Sequence, residues 1–202
     1  SGGGIYCEDR CHLTLTNVDV VSNAADDRGG GLYSALSCTL TLTNCGFEAD
    51  TAGFVGGGVY VEDYCSLFVD GGSFISNQAE HGGGLYCCLE TSISLSDVAF
   101  LSNRAIQVVG EAGNGNGGGM LFSDCWNSSV AIAGCYVGEN EANGDGGGAH
   151  IKNANPYAEA ALWAEDMGTY ATNTTGCSVW DVDEDGRDEA VIWNDRVMAV
   201  FE

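Results

Sequence analysis

Short apolar pairs recur at a fixed interval along the first three quarters of the chain: Leu13/Leu15, Leu40/Leu42, Leu67/Val69, Ile93/Leu95 and Val130/Ile132. Apolar residues at alternate positions predict half-buried β-strands, because successive side chains of a strand point to opposite faces. Five residues beyond each pair stands Val20, Phe47, Phe74, Phe100 or Val137. Three residues later comes Asn23, Asp50, Asn77, Asn103 or Asn140, and two after that always alanine, at 25, 52, 79, 105 and 142. Triple glycines punctuate the same register at Gly2–Gly4, Gly29–Gly31, Gly56–Gly58, Gly82–Gly84, Gly117–Gly119 and Gly146–Gly148. An apolar residue follows each of them (Ile5, Leu32, Val59, Leu85, Met120, Ala149), and in four cases a tyrosine follows that: Tyr6, Tyr33, Tyr60 and Tyr86.

Most triplets lie about 27 residues apart, which is short for a propeller blade, and the alternation argues against helical repeats. Two longer intervals are explained by local insertions over Ile106–Asn116 and Asp124–Ser129. A unit of three short strands cannot bury its apolar face alone, whereas stacking it on its neighbours creates a continuous core. The expected fold is all-β, a right-handed parallel β-helix of about five to six coils over residues 1–153. Glycine suits the tight corners and close backbone approach. The Asn/Asp position is expected at a left-handed corner, its side chain bonded to the turn backbone.

The combination of Gly-Gly-Gly-apolar with Phe-x-x-Asn resembles the repeats of polymorphic outer membrane proteins and related autotransporter-like adhesins. The likeness spans residues 1–153, with Phe74–Asn77 and Phe100–Asn103 matching fully and Val20, Asp50 and Val137 departing from it. That resemblance implies a surface or secreted passenger β-helix.

Residues 154–202 follow a different pattern and are expected to form a second unit that caps the solenoid. Asn155-Pro156 is a helix-start signal, predicting a short helix over Tyr157–Met167 that ends at Gly168. Strands are expected at Cys177–Trp180, Ala190–Trp193 and Arg196–Phe201. Between the first two lies Asp181-Val-Asp183-Glu-Asp185-Gly186-Arg-Asp188-Glu189. Carboxylates at alternate positions, followed by a glycine for a sharp turn, can converge on one hard cation. The segment resembles the calcium loop of FG-GAP and VCBS repeats. Carried over on that likeness, the Ca2+ ligands would be Asp181, Asp183, Asp185, the backbone carbonyl of Arg187, and Glu189.

Ten cysteines suggest an oxidising compartment. Cys11, Cys38 and Cys65 each precede an apolar pair by two residues and so share a column. Adjacent coils rise about 4.8 Å, within the Cα separation a disulfide accepts. Cys88 and Cys125, each five residues before an apolar pair, are counted into a second column. The pairing Cys7–Cys11, Cys38–Cys65 and Cys88–Cys125 is consistent with this, and Cys11–Cys38 is its rival. Cys45 and Cys135 fall in an apolar column where buried thiols and bridges are both open. Asn127 and Asn173 head glycosylation sequons.

Charge narrows the function. Twenty-nine acidic residues against six basic ones give a net charge of −23, which disfavours nucleic-acid phosphates and anionic lipid. No apolar run is long enough to insert in a membrane as a helix. The six basic residues recur on no single column, and the elements of a polysaccharide lyase or polygalacturonase site are missing, so the chain is not expected to be an enzyme. The expectation is an extracellular or cell-surface structural β-helix. It would be adhesive or fibre-forming, its partner either itself, stacked head to tail, or a surface glycan or protein. A secreted carbohydrate-binding or polysaccharide-processing β-helix is the alternative.

Overall fold

The computed structural model describes residues 2–106, 115–124 and 129–152 in full, and beyond them the backbone of four strands, 159–164, 176–180, 189–193 and 198–201. The first coil comprises β1 (Ile5–Cys7), β2 (His12–Thr16), β3 (Asp19–Val21) and β4 (Ala24–Ala25). In the second, β5 (Leu32–Ser34) leads to a long β6 (Thr39–Glu48) and to β7 (Thr51–Ala52). The third repeats this as β8 (Val59–Val61), β9 (Ser66–Ile75) and β10 (Gln78–Ala79). The fourth contains β11 (Leu85–Cys87), β12 (Ser92–Ser96), β13 (Ala99–Leu101) and β14 (Arg104–Ala105). Then follow β15 (Met120–Ser123), β16 (Val130–Gly138), β17 (Glu141–Ala142) and β18 (Ala149–Lys152).

Corresponding strands of successive coils pair in parallel, giving an all-β solenoid of about five turns. One sheet runs β1-β5-β8-β11-β15-β18 and a short one runs β4-β7-β10-β14-β17. The long sheet carries β2-β6-β9-β12-β16. The register is the one the apolar periodicity requires. Leu13, Leu40, Leu67, Ile93 and Val130 lie opposite one another in turn, as do Val20, Phe47, Phe74, Phe100 and Val137.

These columns are the core. Phe47, Phe74 and Phe100 are fully buried and their rings stack at 5.1 and 4.7 Å between centroids, 16° and 9° from parallel. Each buried aliphatic or aromatic side chain of this kind contributes about 1.5–3 kcal/mol by leaving water.

The corner before the short sheet differs from expectation by one residue. The left-handed conformation belongs to Ser22, Ala49, Ser76, Ser102 and Glu139, with φ between 53° and 57°, and not to the Asn/Asp that follows. The division of labour is physical. The left-handed residue turns the chain with its side chain towards solvent, which frees its neighbour to project into the interior. The first glycine of a triplet supplies another such corner, as at Gly56 (φ 65°). The second packs so closely that a Cβ on Gly57 would lie 2.5 Å from the Gln78 backbone.

Beyond the coils, β19 (Glu159–Ala164) pairs in parallel with β16, correcting the helix expected over Tyr157–Met167 across that stretch. The outer edge of β16 offers unpaired backbone groups, and pairing them outweighs a weak local helix preference. The rest of the expected helix lies outside the described residues. β20 (Gly176–Trp180), β21 (Glu189–Trp193) and β22 (Met198–Phe201) form an antiparallel meander close to the expected strands, and β22 meets β19 through Leu162 and Met198.

Candidate functional site

Tyr6, Tyr33, Tyr60 and Tyr86 occupy one column of the first sheet because each follows the apolar residue that anchors its strand. Their rings form a tilted ladder with centroids 5.2, 5.2 and 5.6 Å apart. Polar groups tie this ladder to its neighbours. The Tyr33 hydroxyl donates to Glu62 Oε2 at 2.8 Å. Arg28 reaches the other Glu62 oxygen at 3.3 Å and lies 5.6 Å over the Tyr60 ring. Tyr60 Oη and Cys88 Sγ share a hydrogen bond at 3.3 Å. Burial, reinforced by the Glu62 hydrogen bond and charge, pushes the Tyr33 phenol up to about 12. Burial likewise pushes the Cys88 thiol up to about 11. This face therefore carries aromatic rings, a cation and a carboxylate held in fixed positions, with the Tyr33 phenol and the Cys88 thiol protonated at neutral pH. Glu62 and Arg28 each belong to one coil, so no periodic signal in the sequence singled them out.

The Asn/Asp column forms a second, interior array. Asn77 Nδ2 donates to the Phe47 carbonyl at 2.9 Å and to Asn103 Oδ1 at 3.0 Å. Asn103 Nδ2 repeats this with Phe74 and Asn140 (2.8 and 2.9 Å), and Asn140 Nδ2 donates to the Phe100 carbonyl at 2.9 Å. The backbone N–H groups of Asp50, Asn77 and Asn103 also donate to the Oδ1 of the next coil, as from Asp50 to Asn77 at 2.9 Å. These bonds run to the backbone and side chains of the adjacent coils, where a bond to the residue's own turn was expected.

The sulfur columns are only partly as expected. Cys7 and Cys11 are bridged, with Cα atoms 5.9 Å apart. Cys38 and Cys65 do stack beneath Cys11, yet they stand as buried thiols, correcting the expected Cys38–Cys65 bridge. Each sulfur accepts the backbone N–H of the preceding coil's cysteine, from Cys11 at 3.3 Å and from Cys38 at 3.2 Å. Each donates in turn to a carbonyl, Glu8 and Ala35 respectively, both at 3.1 Å. The thiol proton is thereby engaged, and burial pushes the Cys65 thiol up to about 11. The rival Cys11–Cys38 bridge is likewise not formed, because Cys11 is held by Cys7.

Cys45 and Cys135 are buried thiols. Cys88 directly follows Cys87, which pairs with Phe122, and its expected partner cannot be placed beside it. Cys125 itself lies outside the described residues, as do the sequon residues Asn127 and Asn173.

The expected calcium ligands Asp181, Asp183, Asp185 and Arg187 also lie outside the described residues. Glu189 begins β21, opposite Trp180 at the end of β20, so residues 181–188 connect two antiparallel strands. Among the described residues, no group of three or more His, Cys, Asp or Glu side chains is placed to hold a metal. Comparison with protein-family models, curated proteins and solved structures finds no match.

Proposed function

We propose that this protein is a non-enzymatic structural rod of the extracellular space or cell surface that joins other copies end to end. The observation that carries the reading is the repetition of one coil. Corresponding strands pair in parallel and in constant register from coil to coil, β1 to β5, β5 to β8 and β8 to β11 on one sheet. The same stacking buries Leu32, Leu40 and Leu42 between neighbouring coils. A coil of this kind presents a parallel edge and an apolar face that a further coil of the same kind fits, which is a template for strand addition. Head-to-tail addition of identical rods is heterologous and produces open filaments.

Leu15→Lys tests this reading. The ammonium would be buried by a coil stacked on the first one, at a cost of several kcal/mol. Sedimentation velocity over a concentration series is expected to show larger species for the unaltered protein and a single small species for Leu15→Lys. Identical distributions for the two would refute the reading.

Carbohydrate binding is a second reading, favoured by the tyrosine face. Tyr6 is half exposed and continues a column whose next members are fixed beside Glu62 and Arg28. Aromatic surface beside positioned polar groups is the usual make-up of a small-molecule site.

A further inference from the structure

Asp50 is the one carboxylate in an interior column otherwise made of asparagine. It is completely buried. Its Oδ1 fills the same role as the asparagine oxygens, accepting from the Asn23 backbone N–H at 2.7 Å and from Asn23 Nδ2 at 2.9 Å. Its Oδ2 therefore occupies the slot that an amide nitrogen fills on the later coils. The glycines confirm that placement independently. A Cβ on Gly31 would lie 2.6 Å from Asp50 Oδ2, just as one on Gly58 would lie 3.1 Å from Asn77 Nδ2.

In Asn77 and Asn103 that slot is a donor facing two acceptors, a Phe carbonyl on the coil before and an Oδ1 on the coil after. The register makes the corresponding acceptors around Asp50 the carbonyl of Val20 and Oδ1 of Asn77. Oδ2 is buried and has no hydrogen-bond partner. An ionised carboxylate is acceptor-only, so it would set a buried negative oxygen against acceptors. A protonated carboxyl supplies the missing donor.

We propose that Asp50 is held as a neutral carboxylic acid whose Oδ2 proton completes the asparagine ladder, making the second coil a rung that loosens when the proton is lost. Burial raises the tendency of this carboxyl to keep its proton, against the opposing effect of the hydrogen bonds from Asn23. The side chains packed on it from the neighbouring coils, Asn23 and Asn77, are not titratable, and Gly31 presents only backbone. Glu48, two residues earlier on its own coil, is exposed.

The direction of the pH effect follows. A carboxyl whose pKa is raised on folding binds more protons folded than unfolded, so stability falls as pH rises from the ordinary carboxylate range through the folded-state pKa. Asp50→Asn supplies a permanent donor in the same shape and removes that dependence. Thermal unfolding of both proteins from about pH 4 to about pH 9 is the first measurement. Asp50→Asn is expected to melt higher than the unaltered protein by at least about 2–4 °C at neutral and alkaline pH, the gap closing in acid. A gap that does not change with pH, or a variant that melts lower at neutral pH, would overturn the proposal.

An infrared difference spectrum at neutral pH gives a second, direct readout. A protonated-carboxyl carbonyl band present in the unaltered protein and lost in Asp50→Asn is expected, and its absence would overturn the proposal whatever the melting data show.

Discussion

Ala49 turns the second coil at φ 53° with its methyl exposed and neither glycine nor asparagine to ease the conformation. A left-handed alanine costs about 1–2 kcal/mol, while glycine loses about 0.5–1 kcal/mol more conformational freedom on folding. Ala49→Gly is therefore expected to stabilise the protein by about 0.5–1 kcal/mol, read as an increase in the denaturant midpoint at unchanged slope. A lower midpoint would show that the corner is held by something other than backbone preference.

The same corner shows what single residues disclose before a structure exists. That a polar residue recurs every coil beside a turn is plain from Asn23, Asp50, Asn77, Asn103 and Asn140. Which of two adjacent residues bends and which points inward depends on backbone angles that composition does not encode. The replacement of Asn by Asp at 50 reads in sequence as tolerated variation. It acquires chemical meaning only when Oδ2 is found buried without a hydrogen-bond partner.

At the scale of strands, periodic signals were legible and single-copy signals were not. The Leu, Phe and Tyr columns pair in the expected register because a one-residue slip would turn every buried side chain outward. Counting is weakest where the repeat is interrupted: the alignment of Cys125 with Cys88 runs back from Val130 across the inserted turn, and Cys125 lies outside the described residues. The shared column of Cys38 and Cys65 was equally clear, but proximity alone does not decide between a bridge and two thiols bonded to carbonyls. The helix expected at Tyr157–Met167 rested on local signals, and those cannot register the open edge of β16.

The connection between β20 and β21 carries its own test. Asp181, Asp183, Asp185 and Glu189 are proposed calcium ligands by spacing and resemblance, with the Arg187 carbonyl among them. Titration calorimetry is expected to show calcium binding that is lost when Asp183 and Asp185 are both changed to Asn. Unchanged affinity in that variant would discard the loop.

For the whole molecule, the net charge of −23 and the apolar faces on which coils stack act against each other. Like charge keeps separate rods apart in dilute, low-salt solution, and at 0.1 M ionic strength that repulsion is screened beyond about 10 Å. The proposed contact between ends is short-ranged and apolar, so association is expected to strengthen as salt or calcium rises. The measurement that tests this most directly is electron microscopy of the purified protein across protein, salt and calcium concentrations. The account predicts short rods joined end to end into filaments, longer as screening increases. Single short rods under every condition would contradict it.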